Sequence, residues 1–199
     1  MTETGDIKIR MMPPFSWTGG KHYMCKHILP LIPKHITYVE PFGGAAHLLF
    51  AKKPSPVEVY NDINGDLVNF YKVVADKSDF DKFYQIINLM PYSRSIWKES
   101  IDKLKTETDR IKRAVWFFIF VRQAYGGRLE QGSWGFSVKS SSRGMSAIVS
   151  NWLNSIDRLP EIHARLRTVQ IDNDDWRKIF DRYDDETTFY YIDPPYVTG

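Results

Sequence analysis

A single cysteine, Cys25, in 199 residues excludes an intrachain disulfide and any multi-cysteine metal site, and it points to a reducing, cytoplasmic setting. The N-terminus, Met1-Thr2-Glu3-Thr4-Gly5-Asp6, has none of the apolar core of a signal peptide. The longest apolar run, Ala114 to Val121, falls well short of the roughly 20 residues a membrane helix needs. The five histidines lack metal-ligand spacing: His22 and His27 stand five apart, and no cysteine or carboxylate completes a set. No serine sits in a nucleophile elbow. Thr18-Gly19-Gly20-Lys21 fails as a phosphate loop, since Phe15 stands where the first glycine belongs and His22 where Ser or Thr should follow the lysine. No metal, covalent nucleophile or membrane partner is therefore expected.

The composition present is that of a globular protein, 43% hydrophobic and 26% charged, with aromatics high at 15%. The length fits one domain, or one domain with an insertion. Net charge is only +3, but residues 94–145 carry +6 and the remainder −3. A basic middle in a slightly acidic frame suits a polyanion-facing insertion, and equally a solvated helix with scattered lysines.

Hydrophobic patterning predicts strands at 38–40, 57–60, 169–171 and 189–192. The last, Phe189-Tyr190-Tyr191-Ile192, reads as a buried strand. Helices are predicted over His22–Leu31, Ala45–Phe50, Gly65–Ala75, Phe80–Arg122, Ile148–Leu159 (stopped by Pro160) and Trp176–Tyr183. Residues 126–144 are Gly/Ser-rich and read as a hairpin or long loop. The β-loop-α-β order at the start is half of a nucleotide-binding α/β sheet.

Each predicted strand ends in polar or turn residues. Glu40-Pro41-Phe42-Gly43-Gly44 gives a carboxylate that can hold an ammonium group and small residues that let backbone approach a ligand. Alone, a Gly-Gly turn is more often just a turn. Asp62 lies 19 residues beyond Gly43, the place from which a carboxylate can accept both hydroxyls of a ribose. Alone, an Asp after a strand is more often a helix cap or turn residue. Lys21, on a Gly loop, can bind a carboxylate. Asp193-Pro194-Pro195-Tyr196 puts a carboxylate, a rigid turn and a ring at a strand's carboxyl end. Asp193 and the Pro194 carbonyl can accept both hydrogens of an exocyclic amine while Tyr196 stacks on its ring. Arg128, Lys139 and Arg143, interleaved with Trp134 and Phe136, suit phosphate contact and base insertion, or a solvated hairpin.

Four blocks in one order carry a resemblance: Pro14-Phe15-Ser16-Trp17-Thr18-Gly19-Gly20-Lys21, Tyr38-Val39-Glu40-Pro41-Phe42-Gly43-Gly44-Ala45, Asn61-Asp62-Ile63-Asn64 and Asp193-Pro194-Pro195-Tyr196. The chain resembles the Dam-like, alpha-group N6-adenine DNA methyltransferases, and the resemblance covers essentially all of it. It implies an α/β, Rossmann-like S-adenosylmethionine-dependent methyltransferase sheet with a mostly helical inserted target-recognition region. The catalytic domain would comprise 1–75 and 166–199, and the target-recognition insertion 76–165. The implied donor is S-adenosylmethionine, and the implied substrate adenine N6 in double-stranded DNA, reached by base flipping, as in restriction–modification systems. Trp17 and Lys21 would close the donor site, and Glu40, Phe42, Gly43 and Gly44 would surround its methionine part. Asp62 would bind the ribose and Asp175 the adenine edge. Asp193 would lie between donor and target, with Pro194 and Tyr196 completing the catalytic set. Family members continue after the last motif, so the sheet is expected to be incomplete at the C-terminus, with an exposed edge open to association. The alternatives are a non-catalytic DNA- or donor-binding fragment, or an amino methyltransferase acting on RNA or protein.

Overall fold

The computed structural model describes residues 10–17, 20, 22–125, 133–141 and 143–195. They divide into two compact units. A sheet unit draws on Met1–Pro13, Gly19–Asn64 and Thr168–Gly199, and a helical unit on Pro14–Thr18 and Gly65–Arg167.

In the sheet unit, β1 (Thr37–Glu40), β2 (Val57–Asn61), β3 (Gln170–Asp172) and β4 (Thr188–Tyr190) form a parallel sheet of order β3-β2-β1-β4. Parallel strands set all four carboxyl ends on one edge. β2 lies on one side of β1 and β4 on the other, so β1 marks the reversal of strand order where open α/β sheets bind ligands. Val39 and Val59 pack against Ile179 of α9 (Trp176–Tyr183), with Tyr183 and Tyr190 beside them.

The strand predicted over 189–192 forms as 188–190 and is half-buried rather than buried, with Ile192 exposed. β4 has a described neighbour on one side only, so an apolar sequence did not suffice to bury it. The first helix predicted over His22–Leu31 is a short α turn, α1 (Cys25–Ile28), between two 3-10 turns. α2 (His47–Ala51) begins two residues later than predicted, because Gly44 and Ala46 both take left-handed backbone, at φ 50° and 56°.

The helical unit holds α3 (Gly65–Ala75), α4 (Lys77–Ile87), α5 (Arg94–Thr106), α6 (Arg110–Gln123), α7 (Ala147–Asp157) and α8 (Leu159–Leu166). The long helical stretch expected from Phe80 to Arg122 is therefore three helices. Asp76 and Asp109 start two of them, Asp76 accepting the Asp79 N–H and Asp109 those of Ile111 and Lys112. Pro160 does not stop a helix. α7 ends at Asp157, and Pro160 sits in the first turn of α8, where its missing N–H has no intrahelical partner to lose. The core is aromatic: Phe70 meets Phe15, Phe83, Phe117 and Phe118 within 6 Å between ring centres, and Phe118 meets Trp152 at 5.6 Å.

Candidate active site

The carboxyl edge of the sheet gathers most of the sequence-predicted donor residues. The turn after β1 is held from several sides. Gly43 N–H donates to the Asn61 carbonyl at 2.8 Å, Ala46 N–H to the Gly43 carbonyl at 2.7 Å, and the Tyr60 hydroxyl to the Gly44 carbonyl at 2.8 Å. A Cβ on Gly43 would stand 2.2 Å from the Tyr60 ring, so only glycine fits. Left-handed Ala46, a non-glycine residue, costs about 1 kcal/mol of backbone strain. The turn's hydrogen bonds, worth about 1 kcal/mol each, offset it.

Glu40 ends β1 at 1% exposure. Burial pushes its carboxyl up to about 7, against the downward pull of the Tyr38 hydroxyl (2.7 Å), the Leu49 backbone N–H and the Lys52 ammonium. Leu49 lies in the first turn of α2, whose N-cap residue Ala46 makes no side-chain cap, so Glu40 also serves that helix end. Behind it, the buried Lys52–Glu58 ion pair lies under Tyr38, with Nζ 4.2 Å from the ring centre.

Asp62 follows β2 half-buried. Its Oδ2 accepts Gly44 N–H at 2.9 Å and its Oδ1 accepts Asn64 N–H at 2.8 Å. Burial raises its carboxyl above the ordinary range, opposed by these bonds. The second strand's carboxylate and the first strand's glycine turn are thus one hydrogen-bonded object.

Asp175 precedes α9 and caps it, accepting Arg177 N–H at 2.9 Å. That bond and the Arg177 guanidinium hold its carboxyl below the ordinary range. Phe42 packs on Trp176, ring centres 6.2 Å apart. At β4, Tyr191 N–H donates to the Val39 carbonyl at 2.9 Å, which keeps the chain beside β1 up to Glu40. Asp193 follows two residues later, half-buried, with Pro194 and Pro195 exposed.

Three sequence-predicted residues, Lys21, Arg128 and Tyr196, lie outside the described residues. Trp17 belongs to the helical unit, with ring centres of Phe15 and Phe117 each 6.0 Å away. So do Lys139 and Arg143, both exposed; Arg143 donates to the Asn154 side chain at 2.6 Å. Trp134 is anchored, its ring 5.1 Å from Tyr92 and under the Arg94 guanidinium, whereas Phe136 and Val138 are 67% and 96% exposed. Among the described residues no cluster of histidine, cysteine or carboxylates could hold a metal, and no helix is long and apolar enough to cross a membrane.

The model of the D12 class N6 adenine-specific DNA methyltransferase family matches residues 17–198. The chain belongs to that family. Among similar proteins, the Type II methyltransferase M.MjaIII of Methanocaldococcus jannaschii is 27% identical over 94% of this chain and 70% of its own length. The Type II methyltransferase M1.LlaDCHI of Lactococcus lactis subsp. cremoris is 29% identical over 96% of this chain and 67% of its own. A DNA adenine methylase of Salmonella typhi is 30% identical over 56% of this chain and 40% of its own. The parallel α/β sheet is the fold expected of this class of N6-adenine DNA methyltransferase.

Sequence reasoning gave no role to Asn61, Tyr38, Asn173 or Trp176 in this D12-class chain. Asn173 donates to the Asp62 carbonyl at 2.8 Å. Asn61 stood inside a quoted motif. The aromatic directly after Asp175 was the available signal for Trp176.

Proposed function

We propose that this chain transfers a methyl group from S-adenosylmethionine to N6 of adenine in double-stranded DNA, with the strand-end edge of the sheet unit as its donor site. The observation that carries the reading is the meeting, at one edge, of the Glu40–Gly44 turn and Asp62, with Asp193 following the adjacent strand β4.

The residues fit the donor. Glu40 is a buried carboxylate raised to about 7, and a ligand cation beside it would offset its desolvation. Asp62 keeps acceptor capacity for a ribose hydroxyl, since its two oxygens take backbone N–H bonds from Gly44, Asn64 and Ile63 and a carboxylate offers about four lone-pair sites. Gly44 lets the ligand approach backbone, Gly43 sets the turn against the Tyr60 ring, and Phe42 with Trp176 offers an apolar wall. Asp175 would reach the adenine edge, and Trp17 and Lys21 would close the site. S-adenosylmethionine, when bound, supplies an electrophilic methyl on a sulfonium.

Asp193 and the Pro194 carbonyl accept the two N6 hydrogens. This makes the nitrogen more tetrahedral and localises a lone pair otherwise delocalised into the ring. The Asp193 carboxylate also faces the nitrogen as it gains positive character. Tyr196 stacks on the base, which must leave the duplex to arrive there. Residues 76–165 serve target recognition and residues 1–75 and 166–199 catalysis. Lys139, Arg143 and Arg128 contact phosphates, with exposed Phe136 and Val138 between them. A cytoplasmic setting accords with a DNA substrate.

The test is tritium transfer from labelled S-adenosylmethionine. Label is expected in N6-methyladenine of unmethylated duplex DNA. Label in RNA or protein instead, or donor binding with no transfer to any substrate, overturns the reading.

A further inference from the structure

We propose that Asn61 is a positioning residue that holds the donor site in register by joining the loops after β1, β2 and β3. The inference rests on reading the strand-end edge as the donor site.

Asn61 is 1% exposed. Its backbone carbonyl accepts Gly43 N–H at 2.8 Å. Its Nδ2 donates to the Pro41 carbonyl at 2.9 Å and to the Asp174 carbonyl at 3.0 Å. Its Oδ1 accepts Asp174 N–H at 2.9 Å. The regular β2–β3 pairing ends with Asn61 opposite Asp172. The side-chain amide then repeats a ladder step, bonding both backbone groups of Asp174. One residue therefore grips the β1 loop on both sides of Phe42, at Pro41 and Gly43, and the β3 loop just ahead of Asp175 and Trp176.

The residue type follows from the partners, two carbonyls and one N–H. A primary amide alone among side chains of this size offers two donors and an acceptor in one plane. Aspartate would turn its oxygens onto the Pro41 and Asp174 carbonyls. Alanine would leave two carbonyls and an N–H without partners in a buried place. Both amide hydrogens are used within the fold, Oδ1 takes the Asp174 N–H, and the residue is buried, so Asn61 acts through the loops and not on a ligand. The groups it spaces are Glu40, Phe42 and Gly44 on one loop, and Asp175 and Trp176 on the other. A displacement of about 1 Å between such groups can cost about 100-fold in function.

The experiment measures S-adenosylmethionine and S-adenosylhomocysteine affinity by calorimetry on the full chain, with thermal midpoint and transfer at saturating donor. Asn61→Ala is expected to bind both ligands about 10- to 50-fold more weakly, with donor-saturated transfer within about threefold of the parent. Asn69→Ala removes an amide bond to the Arg110 carbonyl in the helical unit and is expected to leave donor affinity unchanged. Asn61→Asp covers the case in which the alanine variant fails to fold. Its carboxyl regains one donor when protonated, so its affinity relative to the parent is expected to rise as pH falls. Parental donor affinity in a folded Asn61→Ala, or a pH-independent ratio for Asn61→Asp, overturns the inference and leaves the donor site standing. A parent chain that binds neither ligand overturns the donor-site reading and this inference together.

Discussion

The sheet unit and the helical unit bury different things. The sheet unit buries charge and amide: Glu40, Lys52, Glu58 and Asn61 are all at or below 5% exposure. Its loops are closed by side chain to backbone bonds at the carboxyl edge. The helical unit buries mainly rings, with Phe70, Phe83 and Phe118 in mutual contact and Trp152 against Phe118; its buried Asp79 is paired with Arg110, its buried Gln123 accepts the Ser93 N–H, and Asp76 and Asp109 cap helix starts. Burying a carboxylate is unfavourable and burying phenylalanine is favourable. In the sheet unit, Glu40 and Asn61 end their strands at the carboxyl edge, where a ligand can compensate the buried carboxylate, and stability comes from elsewhere in the sheet and from the aromatic core.

The sharpest way to break this contrast is Asp193→Ala. Transfer is expected to fall below detection while donor affinity stays within about threefold, because Asp193 is assigned to the amine. Near-normal turnover, read as tritium in DNA, would remove the catalytic assignment. In the opposite unit, Phe118→Ala is expected to cost about 3–5 kcal/mol of stability through lost ring packing. Urea denaturation reads that loss, and donor affinity of the folded fraction should not change.

A smaller effect separates the units by pH. Glu40 binds its proton more tightly folded than unfolded, so its charge costs stability fully above about pH 7. That cost fades as pH falls through 7 and is gone below the ordinary carboxylate range. A cationic donor needs the charged form. Its affinity is therefore expected to weaken by up to about tenfold per unit below pH 7, and to lose this slope in Glu40→Gln. Calorimetry across pH 5.5–8 checks both. Smallest, Lys139→Ala and Arg143→Ala should each weaken DNA binding alike on all sequences and lower the salt slope by about one. A loss confined to one sequence would make that residue a base reader.

Legibility in the sequence followed the same division. Strand-end motifs were readable because their residues are unusual: a glycine pair, an acid after a strand, Asp-Pro-Pro. Gly65–Ala75 and Trp176–Tyr183 were predicted with the boundaries observed, since each has a clear apolar face and a defined start. Pro160 misled because proline at a helix start and proline after a helix end look alike in sequence. The apolar run Ala114–Val121 marks the middle of α6 but not its ends, so its limits came from Asp109 and from Ala124, whose extended backbone ends it. Asn61 was passed over because its three side-chain partners are backbone groups at positions 41 and 174, which no local pattern records.

The contact between Gly43 and Tyr60 limits how this sequence can vary. Position 43 admits one amino acid only while position 60 holds a ring. A smaller residue at 60 would make room at 43 but would give up the hydroxyl that holds the Gly44 carbonyl. Neither position can drift alone, and a joint change passes through a poorly held turn. In a library randomised at both, survivors selected for donor binding should return the parental pair.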